Sequence, residues 1–149
     1  MIYIDSNIFI YSLLYDNTVP NADKARKILS DIHYGTLKAV TCCLTWDEIV
    51  HVIKRNAGSN NALYAGKYFL EFPNLKILPV DPDTIESAQA LVEQYNIQPR
   101  DAIHAVSALQ RGISDFLTDD QDFEKIQELN RISFDDWEES RLKQRNFDH

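Results

Sequence analysis

The first residues constrain the fold more than any other stretch of the chain. An apolar triplet, Ile2–Ile4, runs directly into the carboxylate of Asp5, and the apolar pattern after it predicts a helix from Asn7 to about Tyr15. A short apolar strand followed at once by a helix is typical of an open α/β sheet, whose ligands bind outside the carboxyl ends of the strands. The pattern therefore predicts that Asp5 lies at the ligand-binding edge, after a first and central strand.

Strands and helices alternate along the rest of the chain. Apolar runs predict further strands at 37–44, 75–80, 115–118 and 131–134, and each gap holds a helical pattern. This alternation predicts an α/β three-layer sandwich, in which a mostly parallel central sheet of about four to five strands is flanked by helices. A proline in the third strand indicates that this strand lies at an edge or ends there.

Length and composition narrow the class of protein. The 149 residues fit one domain, with a core at 1–134 and a charged surface helix and frayed tail at 135–149. The formal net charge of −8 argues against a protein that grips nucleic acid over its whole surface. Because no apolar run could span a bilayer and no signal-peptide pattern is present, we expect a cytoplasmic protein without a membrane partner.

The cysteines and histidines give no sign of a soft-metal site. Cys42 and Cys43 are adjacent in an apolar stretch, so we expect both to be buried, reduced thiols. His51 and His104 each lie about one helical turn after an acidic residue, and we expect them to be packed or solvated rather than ligands.

Several acidic residues follow the predicted strands or begin the helices, and each has an ordinary structural explanation. Asp5 could cap the helix after it, and Glu48 could form a capping box with Thr45. Asp101 lies in the first turn of its helix, where the macrodipole favours an anion. The acids after the fourth strand could cap a short helix or be solvated, and they are Asp119, Asp120 and Asp122.

Taken together, the positions of these acids favour one shared site. In a parallel sheet the strand ends and helix starts lie on one edge, so Asp5, Glu48, Asp101 and the acids after the fourth strand become neighbours. Carboxylates this close cannot all stay ionised without compensation, and only Arg100 is interleaved among them. A divalent cation supplies that compensation, and an all-carboxylate site suits Mg²⁺ or Mn²⁺ rather than zinc.

Four short motifs in this order resemble those of PIN-domain ribonucleases, most closely the VapC-like toxins of toxin–antitoxin pairs. The motifs are Tyr3-Ile4-Asp5-Ser6-Asn7-Ile8, Thr45 to Glu48, Pro99-Arg100-Asp101-Ala102-Ile103-His104-Ala105 and Leu117-Thr118-Asp119-Asp120-Gln121-Asp122-Phe123. The resemblance covers residue 1 to about residue 134. It implies a PIN-like parallel sheet and a Mg²⁺ or Mn²⁺ site whose ligands come from these motifs.

The resemblance also implies a role for each acid. We expect Asp5 and Asp101 to bind the principal metal directly. Glu48 would orient or deprotonate the attacking water, or complete a second metal site, and Asp120 would complete the site through water.

Further residues match family positions around those acids. Asp120 is preferred over Asp119, because the family's acid stands two residues after the threonine. Asp119 and Asp122 remain additional candidate ligands. Asn7 and Thr118 match positions that orient the carboxylates by hydrogen bonds.

The activity implied by the resemblance is metal-dependent cleavage of RNA. We expect an RNA-binding rim at Arg100, Lys54 and Arg55, with Lys24, Lys27 and Lys67 as further candidates. The apolar residues of 8–14 and 64–72 exceed what one small core needs. The family would use them as a homodimer face and as a groove for an antitoxin.

Three alternatives remain open from the sequence. The chain could be a PIN-family nuclease of housekeeping RNA processing, or a non-catalytic binding module that keeps the PIN fold. A haloacid-dehalogenase-like phosphatase also has an aspartate after its first strand, but it needs a second aspartate two residues later. That position holds Asn7 in this chain, which argues against the phosphatase.

Overall fold

A computed structural model describes residues 1–147, in which each strand is followed by one or two helices and all the strands form one sheet. In chain order the elements are β1 Ile2–Ile4, α1 Asn7–Leu14, α2 Pro20–His33, β2 Ala39–Cys42, α3 Leu44–Ala57, α4 Ser59–Leu70, β3 Leu75–Leu78, α5 Pro82–Tyr95, α6 Pro99–Leu109, β4 Asp115–Leu117, a 3₁₀ helix Gln121–Lys125, β5 Asn130–Ile132 and α7 Phe134–Phe147. Within this described range, no helix combines the length and the apolar character that crossing a bilayer requires.

The sheet has five strands in the order β3-β2-β1-β4-β5, and every neighbouring pair is parallel. The chain builds outward from β1 on one side, then returns to β4 on the other side, so the strand order reverses at β1 and β4. Ile4 lies opposite Leu117 in this pair, which brings Asp5 and Thr118 to the same level beyond the strands. Open α/β sheets bind ligands at such a reversal point. The predicted fold class is confirmed, including the central first strand and the edge position of the third.

Helices cover both faces of the sheet. Successive strand residues point to opposite faces, so each strand contributes to two cores. Ile2 and Ile4 face a core shared with α1, α2, α3, α4 and α7. Tyr3 and Phe116 face a second core against α5 and α6. Helices on both sides explain why β1 is apolar at every position, as expected for a strand that is buried on both faces.

The strands are shorter than the apolar runs that predicted them. The second predicted strand, 37–44, forms strand hydrogen bonds only at Ala39–Cys42, because α3 already begins at Leu44. The third, 75–80, ends at Leu78, since Pro79 has no N–H to continue the ladder. The polar run at 58–61 has the composition of a loop, but α4 begins at Ser59, and only Gly58, at φ +89°, separates α3 from α4.

Two side chains near the start of α3 differ from expectation. Cys42 is a buried thiol, but Cys43 is exposed, because it lies beyond the end of β2; both are free. Trp46, a large apolar residue in the first turn of α3, is 43% exposed. Its indole lies over α4 at Gly66, where an added Cβ would come within 2.9 Å of Trp46 Nε1. Trp46 therefore packs between two surface helices rather than in the core.

The charged C-terminal segment forms α7, which packs along α2. Phe134 and Trp137 of α7 are buried, so this helix contributes to the core as well as to the surface. Lys27 bonds to Glu138 at 3.0 Å, and other charged pairs join the same two helices. The expected frayed end at 148–149 lies outside the described residues.

Candidate metal centre

Asp5 occupies the reversal point of the sheet and is almost fully buried, with 7% of its surface exposed. The backbone N–H of Ser6 donates to Asp5 Oδ1 at 2.7 Å, and the Thr118 hydroxyl donates to Oδ2 at 2.8 Å. Both donors are neutral, so they orient the carboxylate without neutralising it. A buried carboxylate held in this way requires a positive partner from elsewhere.

Asn7 and Thr118 form a small hydrogen-bonded support next to Asp5. The Asn7 amide donates to the Thr118 hydroxyl oxygen at 3.0 Å, and the backbone N–H of Asp120 donates to the same oxygen at 3.0 Å. Thr118 therefore contacts the Asp5 carboxylate directly, whereas Asn7 acts through Thr118. The Asn7 side-chain oxygen is buried and accepts no hydrogen bond from a protein group.

Glu48 comes to Asp5 from α3, together with a histidine from α6. Oxygens of Asp5 and Glu48 and a ring nitrogen of His104 lie within 4.8 Å of one another, and we call these three residues the Asp5 group. Nε2 of His104 hydrogen-bonds to Glu48 and lies 3.8 Å from Asp5 Oδ1. The capping box proposed for Thr45 and Glu48 is wrong, since α3 has no side-chain cap and the Thr45 hydroxyl pairs with Thr41 at 2.7 Å.

A second set of carboxylates lies beside the first. Oxygens of Asp101, Asp120 and Asp122 lie within 4.8 Å of one another, and we call these residues the Asp101 group. Asp120 also caps the 3₁₀ helix by accepting the backbone N–H of Asp122 at 2.9 Å. Its expected capping role and its place among the other acids are thus both present.

The two groups interact electrostatically. Burial raises the pKa of Asp101 to about 7, and the charges of Asp120, Asp5 and Glu48 act in the same direction, while His104 opposes them. Asp101 therefore resists ionisation near neutral pH first because it is partly buried, and second because other carboxylates lie close to it.

His104 is the residue that the sequence analysis missed. It is packed, as one of the two expectations had it, since it is fully buried, but its hydrogen bond to a candidate ligand was not expected. Burial alone would lower the pKa of its imidazole, yet its neighbours outweigh burial and raise that pKa well above its usual value; these neighbours are Tyr3, Cys42, Glu48 and Asp5. One signal was present in the sequence, because His104 follows Asp101 by three positions and so shares its helix face.

Asp119 lies outside both groups. Its carboxylate accepts hydrogen bonds from the Tyr11 hydroxyl at 2.9 Å and from the Asn21 amide at 3.1 Å. Both carboxylate oxygens are therefore engaged by α1 and α2. Of the acids after β4, Asp120 and Asp122 are the ones that approach Asp101.

The candidate basic rim is only partly near these acids. Arg100 precedes Asp101, and its exposed guanidinium lies 3.8 Å from Asp47. Lys54 and Arg55 are exposed in the last turn of α3, at the opposite end of that helix from Glu48. Two further candidates, Lys24 and Lys27, form ion pairs with acids of α7.

The donor set fits a hard divalent cation. Within residues 1–147, no lysine or arginine forms an ion pair with Asp5, Glu48, Asp101 or Asp120. The unpaired atoms are mostly carboxylate oxygens, which are the ligands that Mg²⁺ and Mn²⁺ prefer. The buried Asn7 oxygen adds a neutral acceptor that protein donors leave unused.

Comparisons with known proteins agree with this fold. A family model described as PIN domain matches residues 2–129. No curated protein matches the sequence.

Solved structures with the same fold come from toxin–antitoxin systems. Mycobacterium tuberculosis VapC20, described as a Sarcin-Ricin loop cleaving toxin, superposes with a TM-score of 0.70 at 16% identity, covering 83% of this chain and 93% of its own. Rickettsia felis VapBC2 bound to a promoter DNA fragment gives a TM-score of 0.66 at 16% identity, covering 89% and 98%. A Klebsiella pneumoniae toxin–antitoxin complex gives 0.61 at 19% identity, covering 87% and 96%.

Proposed function

The chain belongs to the PIN domain family, and from this premise we propose that it is a metal-dependent endoribonuclease of the VapC-like toxin type. It would hydrolyse RNA phosphodiester bonds with Mg²⁺ or Mn²⁺ held at the edge of the sheet. The observation that carries this proposal is the convergence of Asp5, Glu48, Asp101 and Asp120, none of which forms an ion pair with a lysine or arginine within residues 1–147. The similarity to VapC20, described as a Sarcin-Ricin loop cleaving toxin, supports the choice of substrate.

Asp5 and Asp101 would hold the principal cation, with Glu48 and Asp120 completing the site. When bound, such a cation lowers the pKa of a water molecule and neutralises charge on a phosphate. Ser6 and Thr118 fix the Asp5 carboxylate in advance, so little orientation is lost when the site is loaded. Asp122 is more exposed than its partners in the Asp101 group and would contribute through water.

Glu48 would orient or deprotonate the attacking water. One oxygen accepts the hydrogen bond from His104, which leaves the carboxylate fixed against rotation. Its other oxygen can accept a proton from a water molecule that sits between the two groups of acids. Arg100 is the basic side chain next to these acids in sequence and would meet the RNA backbone as it approaches, with Lys54 and Arg55 further along α3.

An antitoxin and a second copy of the chain are the proposed protein partners. The structural relatives from Rickettsia and Klebsiella are toxin–antitoxin complexes, which supports an antitoxin. Of the apolar residues expected at such a surface, Ile8, Phe9, Phe69 and Phe72 are buried in the core instead. The exposed apolar side chains on α4, namely Leu63, Tyr64 and Leu70, would supply a surface for either partner. The mass of the particle in solution distinguishes these partners, when it is measured for the purified chain alone and for the chain with its antitoxin.

The experiment that tests the proposed activity is RNA cleavage with matched acid variants. Total cellular RNA is incubated with the protein and Mn²⁺ or Mg²⁺, and new 5′-phosphate ends are mapped by ligation and sequencing. We expect discrete cleavage sites that disappear with EDTA. Asp5→Asn should lose about 10²–10³-fold in rate, because it removes several kcal/mol of transition-state stabilisation.

The matched control is Asp31→Asn, which removes a half-buried acid from the far face, where it pairs with Arg141 at 3.0 Å. This variant should cleave as the parent does. Intact RNA under every metal condition would refute the proposed activity. Equal cleavage by Asp5→Asn and the parent would instead refute the site.

A further inference from the structure

A buried chain of hydrogen bonds ends at Glu48 and has no part in the fold's sheet or helix ladders. The Cys42 backbone N–H donates to the Tyr3 hydroxyl at 3.1 Å, and that hydroxyl lies 2.7 Å from His104 Nδ1. The opposite ring nitrogen, Nε2, bonds to Glu48. Tyr3 and His104 are both fully buried, so solvent does not compete for these bonds.

The identities of the donors fix where the imidazole proton sits. An ionised carboxylate only accepts hydrogen bonds, so the nitrogen that faces Glu48 carries a proton. Nδ1 meets a hydroxyl, which can donate to a bare nitrogen or accept from a protonated one. Nε2 is therefore protonated in both arrangements, and a protonated nitrogen has no lone pair for a metal.

We propose that Tyr3 and His104 are positioning residues, in which Tyr3 anchors the imidazole and the Nε2–H of His104 holds the Glu48 carboxylate beside Asp5. The inference deepens the proposed function, because it assigns His104 to the orientation of a metal-binding carboxylate and not to the metal itself. Partners that orient ligating side chains in this way commonly change metal affinity about 10–100-fold when removed.

The surroundings hold this chain rigidly. The Tyr3 ring stacks on Phe116 with centroids 4.9 Å apart, and it meets the imidazole edge to face at 5.8 Å. His104 and Asp101 lie three positions apart on α6, so one helix places an acid of the Asp101 group and the support of the Asp5 group together. A shift of α6 would move both.

The competing possibility is direct ligation by His104. Its Nε2 lies 3.8 Å from Asp5 Oδ1, and one cation could reach both atoms and Glu48. That arrangement requires an unprotonated Nε2 and a Mn²⁺–nitrogen bond. Both features can be measured without any RNA substrate.

The first test uses the metal-free protein. Two-bond ¹H–¹⁵N correlation spectra report which nitrogens of each imidazole carry a proton, and His104→Gln identifies the His104 signals by their loss. We expect a proton on Nε2 of the parent that exchanges slowly with water. Tyr3→Phe should keep the fold but accelerate that exchange at least about tenfold, since the ring loses its anchor. A bare Nε2 in the parent, or exchange unchanged by Tyr3→Phe, would overturn the proposal.

The second test uses Mn²⁺ alone as the probe. Pulsed electron paramagnetic resonance should show no nitrogen bonded to the ion, and Tyr3→Phe should weaken Mn²⁺ binding roughly tenfold. His104→Gln should keep the affinity within about threefold, because its amide can donate to Glu48 from a similar position. Tyr95→Phe is the matched control, as it removes a hydroxyl that donates to Glu128 at the surface.

A nitrogen bonded to Mn²⁺ would overturn the positioning role and make His104 a ligand. Equal Mn²⁺ affinity in Tyr3→Phe and Tyr95→Phe would also overturn it. Failure of RNA cleavage, with the Nε2 proton and the Mn²⁺ results as expected, would refute the nuclease activity and leave the positioning role intact.

Discussion

Acidic residues are compensated in opposite ways at two places in this molecule. Between α2 and α7, the carboxylates meet lysine and arginine: Asp31 pairs with Arg141 at 3.0 Å and Glu138 with Lys27 at 3.0 Å. At the carboxyl edge of the sheet, Asp5 and Asp101 meet other acids instead, and within residues 1–147 no lysine or arginine is bonded to either. We refer to these regions as the α2–α7 seam and the carboxylate edge.

This difference indicates that the acids of the carboxylate edge do not stabilise the fold. Acids of the same chain form ion pairs where α7 packs on α2. The lack of ion pairs with lysine or arginine at the carboxylate edge is therefore a local property of the sequence there. Crowded carboxylates destabilise a fold unless a cation joins them, and such conflicts between local and global stability are expected at functional sites. The α2–α7 seam is thus an internal control for every test of the edge.

The largest expected difference concerns binding of Mn²⁺. Mn²⁺ at about 100 times its dissociation constant should stabilise the parent by about 3 kcal/mol, because it binds the folded state alone. Asp5→Asn should lose most of that stabilisation, whereas Asp31→Asn in the seam should keep it. Thermal melts over a Mn²⁺ titration measure both. An equal shift in the two variants would mean that the edge has no special affinity for the cation.

Asp101→Asn should have a smaller effect on the free energy of unfolding, and the direction of that effect distinguishes the carboxylate edge from the α2–α7 seam. In the metal-free protein this change should stabilise the fold by about 1–3 kcal/mol at pH 8, because the crowded carboxylate no longer has to ionise. Melts in EDTA measure the change. Asp83→Asn, in the first turn of α5, is the matched control and should stabilise nothing, since Asp83 is exposed.

The pH dependence of this stabilisation follows from the raised pKa of Asp101. The folded state binds its proton up to about pH 7, whereas the unfolded chain releases it near the usual 3.8. Stability of the parent therefore falls as pH rises between these values, and the advantage of Asp101→Asn grows over the same range. If Asp101→Asn is less stable than the parent at pH 8, the Asp101 carboxylate acts only by stabilising the N-terminus of α6 through the helix dipole.

The smallest effect is expected in the seam. Arg141→Gln should destabilise the fold by about 0.5–1 kcal/mol. The variant lacks the ion pair with Asp31 and the cation–π contact in which the guanidinium lies 5.6 Å from the centre of the Trp137 ring. Lys143→Gln, which breaks a more exposed pair with Glu139, should change nothing measurable. Chemical denaturation compares the two. Mn²⁺ binding by Arg141→Gln should equal that of the parent, and a loss of binding would contradict the separation of the two regions.

Much of the edge could be predicted because its signals are local. Asp5 directly follows an apolar strand, and Asp101 lies two residues after the Pro99 that begins α6, so position along the chain predicts their place at the edge. The parallel direction of the strands followed from the alternation of strands and helices, whereas their full order did not.

The remainder depends on contacts between residues far apart in sequence. Tyr3 and His104 are separated by 101 positions, and nothing near His104 reveals that a hydroxyl and a carboxylate hold its ring. Trp46 packs on a glycine of another helix, and Asp119 turns toward α1 and α2. Each of these outcomes is decided by tertiary packing, which apolar periodicity does not encode.

Crystals soaked with Mn²⁺ and measured at the manganese absorption edge test the central claim most directly. We expect an anomalous peak bounded by Asp5 and Asp101, with Glu48 and Asp120 alongside, and we expect it to disappear in Asp5→Asn crystals. A fully occupied peak elsewhere, or no peak at a concentration that stabilises the protein, would contradict it.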